Sequence, residues 1–135
     1  MALEGVVTIS SNYGPKETVE RLKAGIAGRG LDLFAEIDHA KNAKEAALSL
    51  PPETVLVFGS AVAGTPLMQE NQAAGIDLPL KALVWRDAAG QTWISYNDPV
   101  WIARRHGLSA GLLHVADKMR EGLEAIAAEA AGSLQ

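Results

Sequence analysis

The amino-acid sequence contains no cysteine. A disulfide framework, a thiolate nucleophile and a cysteine-ligated zinc or iron–sulfur site are therefore excluded. The sequence also lacks the roughly 20 consecutive apolar residues that a membrane-spanning helix needs, and no basic segment precedes an apolar stretch at the N-terminus. We therefore predict a cytoplasmic protein with no membrane contact.

Dense positive charge is also missing. The twelve Lys and Arg are spread along the chain, and the formal net charge is −4. A surface that follows nucleic-acid phosphates needs clustered positive charge, so we expect no nucleic-acid partner. Apolar residues make up 48% of the 135 residues and charged residues 21%. This composition is typical of a globular protein, and the length predicts a single domain over residues 1–135.

The first half of the chain alternates strand and helix patterns. Residues 6–10 are β-branched and apolar, and Pro15 then opens a helix that ends near Gly30. Two glycines inside this helix, Gly25 and Gly28, weaken it and indicate close packing. Residues 31–39 alternate apolar and polar side chains, which predicts a half-buried strand. A short helix capped by Asn42 follows, and residues 54–58 form the third strand.

The second half contains a hairpin and the longest helix. Thr65-Pro66 resembles an N-cap followed by a first-turn proline, and the short helix that it opens should end at Gly75. Residues 81–86 and 91–96 predict two strands joined as an antiparallel hairpin. Asp98-Pro99 begins another helix, and Ser109 caps the last one, whose apolar positions follow a four-three spacing. These positions are Leu112, Ala116, Met119, Leu123, Ile126 and Ala130.

Several motifs resemble those of the DUF302 family, a group of small α+β domains. The strand-Gly-x-x-x-x-Gly-Thr-x-Leu-Met pattern corresponds to residues 55–68, and Asp-Leu-Pro and Tyr-x-Asp-Pro correspond to residues 77–79 and 96–99. The strand end Ile37-Asp38-His39 also matches. The chain departs from the family after Gly59, where Ser60-Ala61 stands in place of Asn-Pro.

The resemblance implies a β-α-β(4)-α order, in which a mainly antiparallel sheet is covered by helices on one face. It also implies a homodimer. Our own reading gives five strands and two long helices in the same order, with short extra helices between strands. The fold class is therefore predicted to be α+β.

The segment from Gly59 to Thr65 is the first candidate for chemistry. It contains Ser60 and Gly64, leaves a strand and enters a helix, so its backbone N–H groups and the helix dipole are suited to hold an anion. A phosphate-binding Walker loop needs Lys after the second glycine, whereas this chain has Thr65 there. The alternative interpretation is a tight strand-to-helix turn.

The remaining candidates are single polar side chains. His39, His106 and His114 are the acid/base candidates near neutral pH, but none has the spacing of a known metal motif, so no metal site is predicted. His39 stands at a strand end, where functional residues gather. Asp77 before Leu-Pro fits a general base or a turn residue. Tyr96 fits a ligand contact or an aromatic residue at the edge of the core.

Two hypotheses follow from these residues. The first is a domain that binds a small molecule or an anion, with catalysis left open, in a pocket where the Gly59–Thr65 segment, His39, Asp77 and Tyr96 converge. The second is a non-catalytic module that dimerises through a sheet edge or the last helix and binds another protein, with the face of Trp93 and the apolar stripe of residues 112–130 as its distinguishing features. The sequence identifies no substrate or cofactor.

Overall fold

Five strands form one sheet in the order β1-β5-β4-β3-β2, and every neighbouring pair is antiparallel. The computed structural model describes residues 3–133. In chain order the elements are β1 (Val6–Ser11), α1 (Pro15–Gly28), β2 (Asp32–Asp38), α2 (His39–Glu45), β3 (Glu53–Gly59), α3 (Ala61–Glu70), a 3-10 helix (Gln72–Asp77), β4 (Leu80–Arg86), β5 (Thr92–Asn97), α4 (Pro99–Arg105) and α5 (Ala110–Ala131). The predicted α+β class and the order of its main elements are confirmed.

The helices α1 and α5 cover one face of the sheet. Alternate residues of the three central strands are buried there, among them Leu56 of β3, Val84 of β4 and Ile94 of β5. Leu22 of α1 and Leu123 of α5 pack onto them in the same core. Four of the six apolar positions of α5, Ala116, Leu123, Ile126 and Ala130, are thus buried within this chain, which leaves little of this stripe to a partner.

Close packing was predicted for both glycines inside α1, and it holds for one of them. A Cβ atom at Gly25 would lie 3.3 Å from Cγ2 of Ile126 in α5, whereas a Cβ at Gly28 would meet nothing within 4 Å. A buried hydrogen bond of 2.7 Å between the hydroxyls of Ser11 and Thr18 ties the start of α1 to the end of β1.

The hairpin of β4 and β5 is confirmed, and Asp87 organises its turn. One carboxylate oxygen accepts hydrogen bonds from the backbone N–H groups of Ala89 and Gln91, at 3.0 and 2.9 Å. The other accepts a hydrogen bond of 2.8 Å from Nε1 of Trp93. The bond from Trp93, followed by those from the backbone, lowers the pKa of the Asp87 carboxyl.

The predicted half-buried strand is instead an edge strand with partly exposed apolar side chains. A β-bulge lies between Leu33 and Ala35 of β2, so Phe34 is an extra residue opposite β3. The bulge interrupts the period-two alternation, and the apolar positions therefore do not share one face. Leu33 and Ile37 remain 39% and 38% exposed.

Two predicted helix starts were wrong. Asp38, rather than Asn42, caps α2, because its carboxylate accepts a hydrogen bond of 2.9 Å from the backbone N–H of Lys41. His39 is therefore the first residue of a helix. Likewise α3 begins at Ala61, four residues before the predicted cap at Thr65.

The end of α3 also differs from the prediction. The helix stops at Glu70, and Asn71 caps the 3-10 helix by accepting a hydrogen bond of 3.1 Å from the backbone N–H of Ala73. The cap predicted at Asp98 is confirmed, since its carboxylate accepts a bond of 2.9 Å from Val100. Ser109 occupies the N-cap position of α5, but its side chain makes no capping bond.

Candidate ligand-binding cavity

A cavity of about 570 Å³ lies between α5, the start of α3 and the adjoining ends of β3 and β4. This volume is within the range of sites for small organic molecules. Most of its wall is apolar, and the side chains of Phe34, Phe58, Met68, Val115, Met119 and Ile126 contribute to it. The cavity is therefore suited to a ligand that has a substantial apolar part.

The start of α3 forms one wall because β3 passes into the helix after a single residue. Ser60 is the N-cap, and its carbonyl accepts hydrogen bonds from the N–H groups of Ala63 and Gly64, at 3.1 and 2.9 Å. Pro66 consequently lies inside α3 and cannot donate to the carbonyl four residues earlier, that of Val62. Val62 as a whole residue is 87% exposed, and a carbonyl left without its helical partner at an exposed position can bind water instead.

Four of the predicted site residues meet in this wall. Gly59, Ser60, Gly64 and Thr65 all line the cavity, although Gly64 and Thr65 belong to a helix and not to the expected loop. A Cβ at Gly59 would lie 3.7 Å from Cβ of Pro79. The end of β3 is thus in van der Waals contact with the segment before β4, and Gly59 and Pro79 line the same side of the cavity.

Asp77 lies just before the cavity wall and is engaged elsewhere. Its Oδ2 is 2.6 Å from Nε2 of His106, and both oxygens accept hydrogen bonds from Nη1 of Arg105, at 3.0 and 3.1 Å. The backbone carbonyl of His106 also accepts a bond of 2.9 Å from the amide of Asn71. These contacts join the 3-10 helix to the end of α4, and Asp77 does not line the cavity.

Tyr96 belongs to the core and does not line the cavity. It lies on β5 opposite Ala82 of β4, and its residue surface is 5% exposed. Burial raises the pKa of the Tyr96 phenol, and the nearby carboxylate of Glu124 adds to the effect. The interpretation as an aromatic residue of the core therefore fits its position.

His39 lies near the opposite end of the sheet from the cavity. Asp38, which precedes it, pairs with Thr54 at the start of β3, whereas Asp32 pairs with Gly59 at the end of that strand. Thr54 and Gly59 are five steps apart along β3, which is a distance of about 16 Å at about 3.3 Å per residue. The hypothesis that His39 converges with the Gly59–Thr65 segment is therefore wrong.

α5 provides a part of the cavity that the motifs in the sequence do not indicate. Val115, Lys118 and Met119 line it, and Arg29 after α1 lies at its edge. Met119 was noticed only as a member of an apolar stripe. These residues are distant in sequence from α3. A local sequence pattern cannot indicate a cavity that forms between two separate helices, α3 and α5.

Within residues 3–133 no group of three or more His, Asp or Glu side chains is arranged to hold a metal ion. In the same part of the chain, no helix is long and apolar enough to cross a membrane.

The sheet face opposite α1 and α5 is a second surface of interest. The rings of Trp85 and Trp93 stack on it with centroids 6.2 Å apart, and Nε1 of Trp85 donates a hydrogen bond of 2.9 Å to Ser95. Val55 and Leu83 lie on the same face, and all five side chains are half-buried. We call this surface the tryptophan face.

Comparison with known proteins supports the fold and gives no activity. The profile of the family described as "Domain of unknown function DUF302" matches residues 7–128. A crystal structure of an uncharacterized conserved DUF302 protein from Bacillus stearothermophilus superposes with a TM-score of 0.83. That comparison covers 95% of this chain and 99% of the other, at 21% sequence identity.

Curated relatives, unlike the family and the crystal structure, have names that state an activity. Over 104 residues the chain is 44% identical to "Fluoride-specific ion channel FluC 1" of Brucella suis and to "Fluoride-specific ion channel FluC 2" of Brucella melitensis. The match takes in 77% of this chain but only 41% and 38% of those two proteins. The chain thus spans about two fifths of the length of these relatives.

Proposed function

This chain belongs to the DUF302 family, and we propose that its function is to bind a small, mainly apolar molecule in the cavity between α3 and α5. The cavity itself carries the proposal. Its volume of about 570 Å³ and its apolar wall match what small-molecule sites require. Three predicted polar residues, Asp77, His39 and Tyr96, lie outside it, so the proposal is for binding and names no catalytic group.

The flexibility of the wall supports the same proposal. Met68 and Met119 contribute from α3 and α5, and methionine side chains adjust readily to the shape of a ligand. Gly64 and Gly122 place bare backbone at the cavity, and a Cβ at either position would meet no other atom within 4 Å. Open space therefore adjoins the backbone of both helices.

Filling the cavity tests the proposal. A neutral fluorescent probe such as N-phenylnaphthylamine should bind the unmodified protein and gain fluorescence. Gly122→Phe should reduce its affinity at least about tenfold, because the new ring occupies the space available to the probe. Gly111→Phe is the matched control, since Gly111 also belongs to α5 and also has open space around it, but does not line the cavity.

Circular dichroism must first show that both variants are folded. Equal probe binding by the unmodified protein and Gly122→Phe would contradict the proposal. Mass spectrometry of the gently purified protein, under native and then denaturing conditions, would identify any molecule that occupies the cavity in the cell.

We propose a non-catalytic interaction module as the second candidate, on the evidence of the tryptophan face. Half-exposed tryptophans and aliphatic residues on one flat surface are typical of protein interfaces. The expected homodimer would bury this face. Light scattering should then give a dimer mass for the unmodified protein and for the control Val62→Lys, and a monomer mass for Trp93→Lys. A monomer at every concentration would contradict the dimer.

The Brucella relatives suggest a partner for such a module. More than half of each relative lies outside the match, and an ion channel needs segments that cross the membrane. We therefore propose that conduction belongs to the unmatched part and that the matched domain assists it.

A protease site at the boundary of the matched segment in the Brucella suis protein tests this by separating the two parts after folding. Fluoride efflux from liposomes should persist after cleavage and removal of the domain, with a rate changed at least about twofold. An unchanged rate would contradict the assisting role, and complete loss of efflux would contradict the assignment of conduction to the other part. Uncut protein carried through the same steps is the control.

A further inference from the structure

We infer that the ligand of the cavity is an amphiphilic anion, with an apolar body inside the cavity and one acidic head group at its edge. This inference rests on the proposed binding function and adds the chemical class of the ligand. It follows from the charged side chains that line the cavity, which are both cationic.

Among residues 3–133, two cationic side chains line the cavity and no Asp or Glu does so. Arg29 is exposed at the end of α1. Lys118 extends from α5, and its side chain is 64% exposed. An excess of acidic residues gives the whole chain a net charge of −4, so a cavity edge lined by two cations departs from the average surface. Such an edge attracts anions and repels cations.

Both cations are available to a ligand. Within residues 3–133 Arg29 forms no ion pair. Lys118 has one partner, Glu121, at 3.7 Å, and both side chains are more than half exposed. Exposed pairs of this kind contribute little free energy, so an acidic head group can replace Glu121 at small cost.

The interior restricts the rest of the ligand. Apart from the two cations, the polar side chains of the wall are the hydroxyls of Ser60 and Thr65. A sugar or a nucleotide carries many polar groups, and each would lose its hydrogen bonds to water in such an interior. An alkyl or aromatic body loses none. The combination fits a carboxylate or phosphate head group on an apolar chain.

Four ligands that share one alkyl chain separate the head group from the body. Decanoate, decyl phosphate, decanol and decylammonium should be titrated into the protein by calorimetry, below the concentrations at which they form micelles. We expect decanoate or decyl phosphate, or both, to bind at least about fivefold more tightly than decanol, the factor that one exposed charge pair of about 1 kcal/mol provides. Decylammonium should bind most weakly. The ratio of the two anions distinguishes a carboxylate from a phosphate ligand.

Variants locate the head group. Arg29→Gln and Lys118→Gln should each reduce the affinity for the preferred anion about two- to fivefold and leave that for decanol unchanged. Lys81→Gln is the control, because Lys81 is exposed on β4 and does not line the cavity.

The outcomes separate this inference from the function on which it rests. If decanol binds as tightly as both anions, or if the affinities for the anions do not respond to Arg29→Gln and Lys118→Gln, the inferred head group is wrong while the apolar cavity still binds ligands. If none of the four compounds binds and the neutral probe also fails, the proposed function itself is wrong.

Discussion

The contact between α1 and α5 predicts different effects for one substitution, glycine to alanine, at two helical positions. A Cβ at Gly25 would lie 3.3 Å from Cγ2 of Ile126, whose residue surface is 1% exposed. A Cβ at Gly122 would meet nothing within 4 Å. Both substitutions reduce the freedom of the unfolded chain in the same way. Only the one at Gly25 crowds the core.

The expected magnitudes follow from these distances. Alanine inside a helix is more stable than glycine by about 0.5–1 kcal/mol, and Gly122→Ala should raise the free energy of unfolding by that amount. At Gly25 the same gain is opposed by overpacking, which costs about 1–3 kcal/mol in tight cores. Since Ile126 must yield by only a few tenths of an ångström, the lower end applies. Gly25→Ala should therefore leave the free energy of unfolding unchanged or lower it by up to about 0.5 kcal/mol.

Urea unfolding measures the difference. The three tryptophans provide the fluorescence signal, and equal slopes of free energy against urea concentration show that the variants unfold from comparable states. We expect the two variants to differ by about 1 kcal/mol, or about 4 °C in thermal midpoint for a chain of this size. If Gly25→Ala stabilises the protein as much as Gly122→Ala does, α1 and α5 pack less closely than described.

Three further substitutions test the hydrogen bonds that fix the elements. Thr18→Val should lower the free energy of unfolding by about 1–2 kcal/mol, because it removes the hydroxyl that bonds to the buried hydroxyl of Ser11. A urea unfolding curve that matches that of the unmodified protein would contradict this hydrogen bond. The lowered pKa of Asp87 stabilises the fold above the ordinary carboxyl pKa of about 4, and this contribution is lost as the pH falls through the lower, folded value. Asp87→Asn should thus weaken the dependence of the urea midpoint on pH below about 5, and an unchanged dependence would refute the lowered pKa of Asp87. Asp77→Asn should lower the free energy of unfolding by about 1–2 kcal/mol, because it removes the charge that holds α4 to the 3-10 helix. The affinity for cavity ligands, measured by calorimetry, should change less than twofold. A larger change would place Asp77 in the binding site.

Local patterns predicted the fold well because most elements follow them. The alternation along β4 and β5 identified the hairpin, and Asp98-Pro99 located the start of α4. The errors concern helix starts, where a residue other than the predicted one caps the helix or where a proline lies inside it. Asp38 at the end of β2 caps the first turn of α2, and Pro66 is tolerated inside α3 because Val62, whose carbonyl loses its helical partner, is an exposed residue.

The candidate site was harder to predict than the fold. The Gly59–Thr65 segment was recognised because strand, glycines and helix adjoin in the sequence. Its other wall depends on how α5 crosses the sheet, which the sequence of α5 does not specify. His39 was misplaced because the sequence does not reveal at which end of an antiparallel sheet a given strand terminates.

The bulge in β2 has a consequence for how copies of this protein meet. An edge strand offers free N–H and C=O groups to which another chain can add, and regular, uncharged edges are prone to aggregation. Here Phe34 disturbs the regular spacing of those groups, and the exposed carboxylates of Asp32 and Asp38 lie along the same strand, whose third carboxylate, Glu36, pairs with Lys23. Two such edges brought together would repel each other. Strand addition through β2 is thereby discouraged, which leaves β1 as the regular edge of the sheet.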